Sequence, residues 1–183
     1  ELNFYVGDIH NHCDISYGIG SLEDALQNAK AQLDFASVTG HAWWHDMPTD
    51  ERLKEPIEVH RQGFERLASQ WDEVLARINS HHVDGSFVTF PSFEWHSIEH
   101  GDRCVYYRDG NGPIIRANSL DELHEELRTL RGAGIETLAI PHHTAYGRDN
   151  RGLKWSELDE DLNPVVEIVS THGAADLGVQ RPY

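Results

Sequence analysis

The sequence predicts an α/β fold with a largely parallel sheet, and three observations carry that expectation. Short apolar runs alternate with amphipathic stretches of helical period. The length of 183 residues suits one sizeable core, so residues 1–183 are taken as a single domain. Five of the apolar runs end in His or Glu, and the ends of strands are where parallel α/β folds collect their ligands.

Taken in order, Phe4-Tyr5-Val6 with Ile9 reads as a buried opening strand leading into "GDIHNHCDIS". The strand period of two sends His10 and His12 to one face and Asn11 to the other. A lone His-x-His is packing about as often as it is a metal site, so the pair needs company before it means chemistry. Ser21 then begins "SLEDALQNAKAQ" as an N-cap with Asp24 three residues on, and Leu22, Ala25, Leu26 and Ala29 share one helical face. Leu33 to Thr39 forms a second strand ending at Gly40-His41.

The stretch from Met47 to His82 predicts one long amphipathic helix, with Phe64, Leu67, Trp71, Val74, Leu75 and Ile78 at helical spacing. His60 is expected on its solvent side, and His81 and His82 near its end suit the helix dipole. "SFVTFPSFEW" is a third strand carrying Glu94, and "DRCVYYRDGNG" a fourth with a turn at residues 109–112. Ser119 caps a helix that Gly132 and Gly134 stop, with His124 near its middle. "IETLAIPHHT" and "PVVEIVSTHG" are two further strands, each ending in histidine.

Composition narrows the partners. With 31 acidic and 15 basic residues the formal charge is −16, which argues against a nucleic-acid backbone or an anionic membrane and leaves a small-molecule substrate. Cys13 and Cys104 are too few for a disulfide scaffold. No apolar run approaches the roughly 20 residues of a membrane span and no signal peptide is visible, so a soluble protein of unknown location is expected. The thirteen histidines are the outlier, and they fall near strand ends. Neutral imidazoles with a carboxylate suit Zn, Mn or Fe, and one Glu can bridge two ions.

The ordered set "GDIHNHCDIS", "LDFASVTGHA", "FPSFEW…DRCVYY", "IPHH" and "VVEIVSTHG" resembles the polymerase and histidinol phosphatase (PHP) domain, in its branch of metal-dependent hydrolases, from the first strand to about residue 173. The resemblance implies a distorted, TIM-like barrel of seven strands with two or three divalent metal ions and hydrolysis of phosphoesters. Carried over by motif, His10 and His12 bind a first metal, Glu94 bridges it to a second, and His142 binds the second. His41 serves a third metal or the phosphate-facing edge, and Asp102 or His100 stands for a histidine expected after the glutamate. Tyr17 occupies the usual place of a third-metal ligand, with Asp14 as its replacement, so a two-metal site is open. The family's late Asp-x-His has no counterpart after His172, which predicts a barrel incomplete on its C-terminal side or finished by a partner chain. His172 or His45 is the candidate general acid, and Arg103 and Arg148 are candidate anion contacts. An amidohydrolase-like enzyme cleaving C–N or C–O bonds and a non-catalytic metal-binding domain remain as alternatives.

Overall fold

The computed structural model describes residues 2–146 and 151–175, and among them the chain is a mixed α/β structure of several sheets with no closed barrel. In chain order the elements are β1 (Gly7–Asp8), α1 (Leu22–Lys30), β2 (Phe35–Ala36), β3 (Gly40–Trp44), α2 (Lys54–Ser69), α3 (Trp71–His81), β4 (Val88–Thr89), β5 (Ser92–His96), β6 (Arg103–Tyr107), α4 (Leu120–Gly132), β7 (Thr137–Pro141), β8 (Val169–Ser170) and β9 (Gly173–Ala174). The serine caps act as their spacing predicts: Ser21 accepts from the Asp24 amide and Ser119 from the Glu122 amide. Gly134, at φ +88, takes the left-handed conformation just beyond α4 that a side chain would resist.

The expected single long helix is two. Gln70, at φ −112 and ψ 9, leaves the helical region and separates α2 from α3. The break lets α2 pack on β3 while α3 packs on α1. The Trp71 indole just after it is buried and donates to the Gly112 carbonyl at 2.7 Å.

The sheet is less parallel than expected. β1, β2 and β4 pair in parallel, as do β3 and β5, but β6 runs antiparallel to both β5 and β7. The link from β5 to β6 spans only residues 97–102, too short for the crossover that a parallel neighbour requires. β2 runs on into β3 and β4 into β5 with one register, from Phe35 opposite Val88 to His41 opposite Glu94, before a bulge between His41 and Trp43 shifts it. Beyond β7, the Ala139 amide donates to Leu162 and the Glu167 amide to Pro141, so residues 162–167 lie along its edge.

The opening segment is not buried as expected. Only Gly7–Asp8 is strand, and Phe4 and Tyr5 are exposed because β1 is the edge of its sheet and no described residue covers them. Likewise, "PVVEIVSTHG" contributes only the short β8 and the first residue of β9, with Val165 and Val169 exposed. The apolar core lies between the helices and one face of the β3–β5–β6–β7 sheet, around Leu26, Leu67, Ile78, Phe93, Trp95 and Leu127. No helix among the described residues is long and apolar enough to cross a membrane.

Candidate metal centre

Strand alternation and register together build the site on the other face of that sheet. Pairing sets His41 of β3 opposite Glu94 of β5, Glu94 opposite Cys104 of β6, and Cys104 opposite Ile140 of β7. Opposed residues point to the same face, so these four form one lateral row. The same registers, carried one residue further, align His96, Asp102 and His142 in a second row, and the His142 amide donates to the Asp102 carbonyl. His10 and His12 arrive from the loop after β1.

The rows and the loop bring four overlapping sets of donor atoms within 4.8 Å: His10, His12 and Glu94; His41, Glu94 and His96; Glu94, Asp102, His142 and His143; and His10, Cys104 and His142. Glu94 belongs to three of the four, the place a bridging carboxylate would take. One of its oxygens lies 2.5 Å from His142 Nε2, and the other lies 2.8 Å from His41 Nδ1 and 3.6 Å from His12 Nε2. His41 Nδ1 also lies 3.1 Å from His96 Nε2, with which it hydrogen-bonds. Glu94 Oε2 has no hydrogen-bond partner in bonding geometry, nor have His12 Nδ1, His142 Nδ1 and His143 Nδ1. Buried polar atoms without partners cost free energy, and a bound cation is one way such a set is satisfied.

The electrostatics suit ligands. Burial above all holds His12 down to about 3 and His142 to about 4, so both imidazoles are neutral and keep a lone pair to donate. Burial would raise Glu94, yet His96, His41 and His142 hold it well below the usual carboxylate range. Asp102 is likewise held down against burial by His96, His143 and Arg151. Burial would lower His10, but Cys104, Glu167 and Glu94 outweigh it and raise the imidazole to about 12. That proton is one a cation must displace.

The structure therefore brings His10, His12, His41, Glu94, Asp102 and His142 together and leaves other expected residues out. Of the two candidates after the glutamate, Asp102 lies in the cluster, whereas His100 binds Glu157 Oε2 at 3.0 Å from the β5–β6 loop. Arg103 is not an anion contact at this site: alternation turns it away from Asp102 and Cys104, it is fully buried, and it donates to the carbonyls of His100 and Gly101. His45 stacks on Trp95 and bonds Ser97, outside every donor set. His172 stands at the rim, its Nδ1 bonded to Tyr146 at 2.9 Å, beside a cleft of about 400 Å³ that His10, His12 and Glu167 also line. Arg148 lies outside the described residues. His60, expected on the solvent side, is half-buried and packs against Tyr17 and Trp44.

Other residues join the cluster. His96 shares the face of Glu94 two residues on, a signal already present in "FEWH". Continued strand alternation would set His143 opposite His142, but β7 ends at Pro141 and His143, at φ +58, turns back so that its Nε2 lies 3.3 Å from Asp102. A left-handed residue with a side chain costs roughly 1–2 kcal/mol, which the surroundings must offset. Glu167 meets His10 Nδ1 at 2.5 Å, and Arg151 both pairs with Asp102 and lies over the Trp44 ring. Neither carried a recognisable spacing, because both approach from distant segments.

The family model described as "Protein of unknown function (DUF3604)" matches residues 22–167. That range takes in His41, Glu94, His96, Asp102, Cys104, His142 and Glu167 and leaves His10 and His12 outside it. No curated protein matches the chain. The chain belongs to the DUF3604 family.

Proposed function

We propose that this protein is a metal-dependent hydrolase acting on phosphoesters, on the incomplete, distorted barrel that the PHP resemblance implies. One observation carries the reading: buried imidazole and carboxylate donors converge on Glu94, and four of their atoms have no partner. The register shared by the β2–β4 and β3–β5 pairs supports the barrel part of the reading, since it sets the two short sheets in line. His10, His12, Glu94 and His142 would hold two divalent cations, Zn, Mn or Fe, with His41, His96 and Asp102 completing the set. Bound there, the cations would supply an acidified water and positive charge for the transition state.

The remaining residues orient and exclude. Glu167 fixes the ring of His10, and Asp102, itself held by Arg151, fixes His96 and His143. Tyr146 holds His172 at the cleft rim, where its free nitrogen would face a leaving group. The cleft admits a small phosphorylated molecule, and the charge of −16 disfavours nucleic acid.

The test is elemental analysis followed by a panel of phosphomonoesters and phosphodiesters, with Glu94→Gln alongside. Two or three ions per chain, and turnover that falls about a hundredfold or more in the variant at similar folded yield, are expected. One tightly held ion without turnover would make the protein a non-catalytic metal-binding domain. Turnover confined to amides or carboxylic esters would move the reaction to carbonyl carbon.

A further inference from the structure

We propose that Cys104 is a metal ligand, and that with His10 and His142 it forms a thiolate and bis-imidazole position selecting Zn²⁺, Co²⁺ or Fe²⁺ over Mn²⁺ and Mg²⁺. The proposal rests on the metal-binding reading above and deepens it. Cys104 Sγ and one nitrogen from each histidine lie within 4.8 Å of one another. Cys104 is free and 1% exposed, and its place on β6 opposite Glu94 puts it on the inner, donor-bearing face of the sheet.

Both partners are arranged to serve it. The Nδ1 of His10 is tied to Glu167 at 2.5 Å, the carboxylate–imidazole pairing that leaves the other ring nitrogen to a metal. The rings of His10 and His142 meet edge to face, 4.5 Å between centroids, and His142 is 1% exposed with its Nδ1 unpartnered. Burial pushes the Cys104 thiol up to about 11 even though His10 faces it and works the other way. On binding, the cation replaces the thiol proton, which leaves to solvent, and the S–metal bond forms with no change of oxidation state.

Cys13 is the internal control. It is equally buried and equally free, but it sits in the apolar core with Ile15 and Leu22 and belongs to no donor set. Two cysteines of the same exposure thus differ in what surrounds them, and only one faces imidazoles. A thiolate is a soft ligand, so its presence at one position sets that position apart from the harder sets around Glu94 and Asp102.

The experiment loads the metal-free protein with Co²⁺ and records its absorption, because thiolate ligation adds a near-ultraviolet charge-transfer band to the visible bands that any tetrahedral Co²⁺ site gives. The unmodified protein and Cys13→Ser should show the near-ultraviolet band, and Cys104→Ser should lose it while keeping visible bands. Competition between Zn²⁺ and Mn²⁺ should shift toward Mn²⁺ in Cys104→Ser by about tenfold or more. Should Cys104→Ser not fold, the ¹¹³Cd chemical shift of the cadmium-loaded unmodified protein reports sulfur ligation directly. Visible Co²⁺ bands without a near-ultraviolet band, or its loss in Cys13→Ser, would overturn the proposal and leave the metal reading standing. Failure to bind Co²⁺ at all would overturn both.

Discussion

The two faces of the β3–β5–β6–β7 sheet are equally dry and differ in chemistry, one apolar apart from the buried Arg103, the other carrying the donor cluster beside a small apolar patch of Tyr106 and Ile140. On β5, Phe93 and Trp95 face the helices and are fully buried, while Glu94 and His96 between them are just as buried on the other side. On β6, Val105 and Tyr107 join the apolar core, whereas Cys104, and Asp102 just before the strand, face the donor cluster. Burial alone therefore says nothing of role. The apolar face removes hydrocarbon from water and stabilises the fold. The polar face carries buried charge and unpartnered atoms that cost stability, and such groups persist where binding or catalysis requires them.

That contrast can be broken most forcefully from the apolar side. Trp95→Ala should destabilise by about 3–5 kcal/mol, since it empties a large buried volume and removes the indole's bond to the Ala117 carbonyl. Denaturant unfolding measures the loss, and metal bound per folded molecule should stay unchanged. A cost under about 1 kcal/mol would mean that the outer face is not the stabilising one.

A second change sharpens the polar side. Glu167→Gln keeps the size of the side chain that orients His10 but removes its charge. Metal affinity should fall about tenfold to a hundredfold, with the thermal midpoint of the metal-free protein little moved. Isothermal titration with Zn²⁺ checks the first and calorimetry the second. An unaltered affinity would detach Glu167 from the site.

The smallest effect lies between the faces, at Asp46. Its carboxylate accepts from the amides of Ile98 and Glu99, the Ser97 hydroxyl and the Trp44 indole, pinning the β5–β6 loop to the end of β3. Burial would raise its pKa, but those amides and the hydroxyl hold it below the usual value. A depressed carboxyl contributes stability above its unfolded pKa of about 3.9 and loses it as pH falls through the lower folded value. Asp46→Asn should cost about 1 kcal/mol at neutral pH and flatten the acid limb of the stability curve. An acid limb identical to that of the unmodified protein would exclude the carboxylate as its source.

Much of the site could be read before the fold was known, for reasons particular residues make plain. His10, His12, Glu94 and His142 sit at the ends of apolar runs, but the period of two assigns a face only to Glu94 within β5, since His10 and His12 lie in the loop after β1 and His142 just past β7. Alternation alone would turn His143 away from His142, and it does not apply because β7 ends at Pro141 and the His143 backbone is left-handed. His100 and Asp102 were indistinguishable by spacing, and the short loop between β5 and β6 separated them by giving His100 to Glu157.

The sequence by itself determined the local features: the serine caps of α1 and α4, the alternation within β5 and β6, and the concentration of imidazoles at strand ends. Each depends on residues within one or two turns or pleats, so composition and period suffice. Only the tertiary structure decided the register that aligns His41, Glu94 and Cys104 in one row, the antiparallel course of β6, and the approach of Glu167 to His10. Those depend on hydrogen bonds and contacts between segments tens of residues apart, whose pairing no local pattern encodes, because a slip of one residue would leave every local preference intact and turn the whole strand over.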